Sequence, residues 1–125
     1  MKDFRDLHVW ESAHQLTLQI YRTTAQFPRE ELYSLTSQMR RCSTSIAANI
    51  AEGCGKTGNS EFQRFLTIAC GSASELDYEL LLARDLGYLR EQVYVPLRED
   101  LSKLRKMLNA LLQKVDRDRG RMAKC

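Results

Sequence analysis

Residues 38–53 read QMRRCSTSIAANIAEG, and no Asp, Glu, Lys or Arg stands anywhere from Cys42 to Ala51. Met39, Cys42, Ile46, Asn49 and Gly53 recur at alternating steps of three and four, the seam spacing of helices packed in bundles. The remaining positions are largely Ser, Thr and Ala. A helix uncharged on every side is buried on more than one side. The stretch therefore predicts a helix over residues 36–52 with a bundle core against one face and a further partner against another. Gly53 is expected to be its left-handed cap.

Outward from this helix, only Pro28, Pro96 and the glycine-rich stretch 53–60 punctuate the chain, which leaves four periodic segments. The first, over residues 4–26, lines up Leu7, Trp10, His14, Thr17, Tyr21 and Thr24, with Ala13, Leu16 and Ile20 beside them; Phe27-Pro28 ends it. Ser60 and Gln63 form a capping box for the third. Its seam is Phe62, Leu66, Ala69, Ala73, Leu76, Leu80 and Ala83, and it ends near Gly87. The fourth is expected to start around Pro96, a good first-turn residue, and carries Leu97, Leu101, Leu104, Leu108, Leu111 and Val115. These segments predict an all-α fold, an antiparallel up-down-up-down four-helix bundle over residues 1–116, with residues 117–125 as a basic, frayed tail. Gly71, in the run Gly71-Ser72-Ala73-Ser74, is expected where two backbones approach closely.

A chain of 125 residues with 43% apolar and 28% charged residues fits one globular domain. Its longest apolar runs fall far short of the roughly 20 residues of a membrane helix, and MKDFRDLHVW lacks the apolar core of a secretory signal. A cytoplasmic protein with no membrane partner is expected. Cys42, Cys54, Cys70 and Cys125 are too scattered for C-x-x-C pairs; Cys42 and Cys70 are read as small core residues.

Residues 12–21 and 65–74 are two further ten-residue windows without charge. One core cannot use every face of three such helices, so a second buried surface is expected, most simply a homo-oligomer interface. Ala47, Ala48, Ala51, Asn49, Glu52 and Gly71 are its candidate interface or structural residues. Asn49 is expected to be a buried amide that fixes helix register. Glu52 opposes the helix dipole by roughly 0.3–1 kcal/mol, and Lys56, Arg40 or Arg41 would compensate it.

Catalysis has little to work with. His8 and His14 lie six apart, about 240° around a helix, and cannot form a one-face metal pair. The run Gly53-Cys54-Gly55-Lys56-Thr57-Gly58 lacks the glycine lead and preceding strand of a phosphate loop. Glu75 and Glu79, with Asp77 between them, lack the Glu-x-x-His partners of carboxylate metal helices and are read as solvated or salt-bridged acids. A hydrolase or nuclease built on Glu52, Glu75 or Asn49 has no convergent titratable partners. No catalytic residue, metal or cofactor is expected, and the protein is read as non-enzymatic.

Charge points elsewhere. The net charge is +3, but residues 98–125 carry nine Lys/Arg against four Asp/Glu, while residues 1–97 carry ten against twelve. Arg98, Lys103, Arg105, Lys106, Lys114, Arg117, Arg119, Arg121 and Lys124 form the candidate nucleic-acid-binding set, with Arg40, Arg41, Lys56 and Arg64 as a secondary group around the second and third helices. A ring of identical subunits would multiply this local charge into one field. The expected partners are RNA, most simply structured RNA, or DNA, or a nucleic-acid-handling protein. The alternative is a scaffold that makes only protein contacts.

Phe4-x-x-Leu7-x-x-Trp10, Tyr21, Phe27-Pro28, Glu31, Leu35, Gln38-x-Arg40-Arg41, Ser45-Ile46, Asn49-Ile50-Ala51-Glu52-Gly53, Phe62, Phe65, Gly71-Ser72, Glu75-Leu76 and Leu86-Gly87-Tyr88-Leu89 together resemble the bacterial four-helix-bundle family associated with 23S rRNA intervening sequences. Ala47 stands where many members have proline, and Lys56 where arginine is common. The resemblance implies a bundle assembled as a ring, a homopentamer, with no established enzymatic activity. Similar bundles are accessory proteins of diversity-generating retroelements, where a basic pentameric barrel contacts nucleic acid and a reverse transcriptase.

Overall fold

The computed structural model describes residues 3–56 and 58–123, with side chains through Asp118. Among these residues there are four α-helices, α1 (His8–Thr24), α2 (Leu35–Cys54), α3 (Asn59–Asp85) and α4 (Glu91–Ala123), two short 3₁₀ turns (Phe4–Asp6 and Arg29–Glu31) and no strand. The first predicted helix is thus broken at Leu7: the Asp3 carboxylate accepts the Arg5 N–H and caps the 3₁₀ turn, and Leu7 is extended before α1 begins.

Each helix packs on two others, α1 on α2 and α4, and α3 on α2 and α4. Directions follow from paired contacts. Thr17 meets Ser43 while Tyr21 and Thr24 meet Arg40. Ser45 meets Ser72 while Cys42 meets Glu79. Asp77 meets Arg105 while Gln63 meets Asp116. Numbers fall on one helix as they rise on its neighbour, so successive helices run antiparallel and the bundle is up-down-up-down.

The core is aliphatic. The third and fourth seams are filled as predicted, with Leu66, Ala69, Ala73, Leu76, Leu80 and Ala83 facing Leu97, Leu101, Leu104, Leu108 and Val115. Phe62 and Leu111 sit partly buried at its edges. Each fully buried leucine contributes about 1.5–3 kcal/mol by leaving water. In α1 the predicted stripe is rotated by about one residue, ~100°. Val9, Ala13, Leu16, Ile20 and Thr24 are buried, while Tyr21 is exposed and Trp10 half-buried. Rings with a polar edge settle at the rim: Trp10 stacks on His14 at 4.9 Å and meets Phe4 edge-on. In α2, Ile50 rather than Asn49 fills the seam. Asn49 Nδ2 donates to the Ser45 carbonyl (2.8 Å) and Ser45 Oγ (3.0 Å), one turn back on its own helix, so it does not fix register against a neighbour.

Gly53 is not a left-handed cap. It is helical and buried, and a Cβ placed on it would stand 2.8 Å from Phe65 Cβ and 3.0 Å from Phe62 Cδ1. Close backbone approach therefore occurs at Gly53, not at Gly71, which is exposed with nothing within 4 Å of such a Cβ. The capping box is absent too: Gly58 precedes α3 with no side-chain cap, and Gln63 Nε2 reaches Asp116 Oδ1 at 2.9 Å instead. The end of α3 behaves as expected. Gly87 has φ +82°, the Tyr88 N–H bonds the Ala83 carbonyl and the Gly87 N–H bonds that of Arg84, which is the Schellman arrangement.

Helix α4 starts at Glu91, so Pro96 lies inside it. The Arg90 carbonyl accepts from Val93 and Tyr94 and closes the first turn, and buried Leu89 and Tyr94 anchor that turn in the core. Packing outweighs the one backbone bond that proline cannot make. At its other end α4 remains helical past Asp116 to Ala123.

Candidate nucleic-acid interface

The basic residues of α4 divide by their place on the helix. At 100° per residue, Lys103, Lys106, Lys114 and Arg117 fall within about 80° of one another on the side away from the Leu101–Leu108 seam. All four are exposed. The stripe spans fourteen residue steps, about 21 Å at 1.5 Å each, and none of the four enters an ion pair among the described residues. Exposed cations on one face, held in no ion pair among the described residues, suit a polyanionic backbone.

Arg98 and Arg105 lie on the flank facing α3. Arg105 is committed: its guanidinium bonds Asp77 Oδ2 at 2.9 Å and Ser74 Oγ at 3.0 Å, tying α4 to α3. Arg98 and Lys106 border the adjoining cleft of about 400 Å³, which Asp77 and Glu99 also line. Its mixed charge does not select for phosphate. Of the C-terminal set, Arg119, Arg121 and Lys124 lie outside the residues described in side-chain detail.

The secondary group does not form one cluster. Arg40 and Arg41 lie in the first half of α2, whereas Lys56 follows its end, about 20 Å further along the bundle. Arg40 is spent on structure: its Nε donates to Thr24 Oγ1 at 2.9 Å, its Nη2 to the Tyr21 carbonyl at 3.3 Å, and its guanidinium covers the Tyr21 ring. Arg64 pairs with Glu61 at 3.1 Å and lies over Phe65, whose ring Lys56 also approaches. The Gln63–Asp116 bond brings this second pair to the same end of the molecule as Lys114 and Arg117.

The interface candidates are half-buried or exposed in the single chain. Ala48, Glu52 and Gly71 are exposed, and Ala47, Asn49 and Ala51 intermediate. Neither Arg40 nor any other described residue forms an ion pair with Glu52. Thr44 and Ala48 on α2, with Thr67, Ile68 and Gly71 on α3, give that side an exposed, charge-free midsection, and Ser45 and Ser72 join hydroxyls beneath it at 2.9 Å.

One acid was misjudged by sequence reasoning. Glu79 is not solvated; it is 3% exposed, against Cys42 on α2. Burial pushes its pKa up to about 7, and the signal that could have found it is its i+3 spacing from Leu76 on the seam. Cys70, expected in the core, is only half-buried, with Sγ 3.9 Å from Asn109 Oδ1 at the α3–α4 seam. A different acid organises the α1–α2 connection: Glu31 accepts the Leu35 N–H at the start of α2 through Oε1 and the Tyr88 hydroxyl through Oε2 at 2.8 Å.

Residues 5–110 match the family model of the 23S rRNA-intervening sequence protein. A crystal structure of a protein of unknown function from the S23 ribosomal protein family of Bacteroides thetaiotaomicron superposes with a TM-score of 0.77 at 24% identity, covering 84% of this chain and 95% of that one. That likeness shows the shared fold. No curated protein matches the chain.

Proposed function

The chain belongs to the 23S rRNA-intervening sequence protein family, and from that premise we propose that it is a non-enzymatic, homo-oligomeric bundle, a pentamer in the favoured form, that binds structured RNA in the cytoplasm. The observation that carries the reading is the exposed outward stripe of Lys103, Lys106, Lys114 and Arg117, none of which enters an ion pair among the described residues. Contacts from such a stripe would go to phosphates, since among the described residues of α4 the aromatic side chain, Tyr94, is buried and leaves none beside the stripe for base stacking. No helix of the described residues is long and apolar enough to cross a membrane. A shift assay with structured RNA tests the reading: binding should weaken steeply with salt and collapse when Lys103, Lys106 and Lys114 become glutamate. Absence of binding at low salt would overturn it.

A second reading, an oligomeric scaffold acting through protein contacts alone, draws on a different surface. A groove of about 630 Å³ is bordered by Tyr21, Leu32, Tyr33, Thr36 and Arg41, with Tyr33 93% exposed. Retention of a protein partner by the triple glutamate variant would favour it.

A further inference from the structure

Where α2 and α3 cross near Cys42, a thiol and two carboxylates converge. Cys42 Sγ and one oxygen each of Glu75 and Glu79 lie within 4.8 Å of one another. Cys42 and Glu79 are buried at 6% and 3% exposure, whereas Glu75 is exposed one turn earlier on α3 and gives the cluster a path to solvent. Cys42 Sγ stands 3.8 Å from Glu79 Oε2, and Glu79 Oε1 has no hydrogen-bond partner among the described residues. A buried carboxylate oxygen without a partner is costly and calls for an ion, a water or a proton.

For an ion, the donor set narrows the identity. Calcium and magnesium take oxygen donors, while a thiolate beside carboxylates suits a borderline-soft ion such as zinc. Zinc–sulfur and zinc–oxygen bonds of about 2.3 and 2.0–2.2 Å in a tetrahedron set the sulfur–oxygen edge at about 3.6 Å. The Cys42–Glu79 separation of 3.8 Å is close to that edge, and the donor separations as a whole, within 4.8 Å, close by about 1 Å through rotation of the exposed Glu75 side chain. We propose that Cys42, Glu75 and Glu79 form a zinc-type site, three protein ligands with the fourth position open to water on the Glu75 side. On binding, the ion replaces the Cys42 thiol proton and any proton held within the carboxylate pair, releasing them to solvent. Three anionic ligands and a dication leave one negative charge. Arg41, the cation whose field reaches Glu79, offsets it.

Metal-free full-length protein titrated with Co²⁺, a spectroscopic stand-in for Zn²⁺, tests the site. The expected result is a thiolate-to-cobalt charge-transfer band that saturates at one ion per chain and is bleached by Zn²⁺. A variant with Cys54, Cys70 and Cys125 all changed to serine should keep the band, and Cys42→Ala should abolish it. Glu75→Gln and Glu79→Gln should each weaken binding at least tenfold. Because Glu75 is exposed, Glu75→Gln keeps the test informative if a core variant fails to fold. Absence of the band, its survival in Cys42→Ala, or unchanged affinity in Glu75→Gln would overturn the site and leave a proton shared by Glu75 and Glu79 as the occupant.

Discussion

Gly53 of α2 and Phe65 of α3 touch so closely that a Cβ on the glycine would stand 2.8 Å from the Cβ of the phenylalanine. Alanine would raise intrinsic helix propensity by up to about 1 kcal/mol. It would also press on an atom fixed to the α3 backbone, and overpacking of this kind costs about 1–3 kcal/mol. Gly53→Ala should therefore lower the midpoint of thermal unfolding. Gly71→Ala, in open space, should raise or leave unchanged the stability of the subunit, as read by denaturant titration. A Gly53→Ala protein as stable as wild type would contradict the contact.

The charge-free side of α2 and α3 makes its own prediction. Ala48→Trp and Ala48→Glu should shift light-scattering mass from an oligomer toward the 14.5 kDa chain at micromolar concentration, with helicity retained because Ala48 is exposed in the single chain. A wild-type protein that is monomeric throughout would sink the oligomer.

Arg105 and Lys106 are neighbours in sequence with different expected phenotypes. Arg105→Ala removes a half-exposed ion pair with Asp77, worth at most about 1 kcal/mol, and should leave the salt dependence of RNA binding nearly unchanged. Converting Lys103, Lys106, Lys114 and Arg117 to glutamine should reduce the slope of log affinity against log salt by about 3 per subunit engaged. Equal slopes for the two variants would show that the stripe is not the contact surface.

Glu79 makes stability depend on pH. Its pKa is raised from the ordinary 4.5 to about 7, chiefly by burial and further by Glu75, against the opposing Cys42 thiol and Arg41. The folded state therefore holds the proton more tightly than the unfolded state. This contribution is complete below about pH 4.5 and is lost as pH rises through 7, on the order of a few kcal/mol. In chelated buffer, Glu79→Gln should gain stability relative to wild type across that window. Parallel pH profiles of the two proteins would refute the assignment.

The bundle was legible because leucines and alanines at three-four spacing leave α3 and α4 one way to face the core. Where aromatic and polar residues shared a stripe, in α1, spacing alone could not choose between adjacent faces, and the aliphatic set won by burying without unmet polar edges. Glycines misled for a related reason. Gly53 and Gly71 are indistinguishable as letters, and only the bulk of Phe62 and Phe65 across the seam separates a required glycine from a tolerated one. The basic stripe could be read as composition but not as a surface. Whether an arginine is available depends on distant acids and carbonyls, as Asp77 shows for Arg105 and the Tyr21 carbonyl for Arg40.

The four seams of the bundle are unequal: α2 and α3 interlock through Gly53, the Ser45–Ser72 pair and Cys42–Glu79, whereas α1 and α4 share the sparsest contact of the four. Opening of the native state should begin by parting α1 from α4. Backbone amides in the α2–α3 hairpin should then be the slowest to exchange with deuterated solvent, the last cooperative unit to come apart.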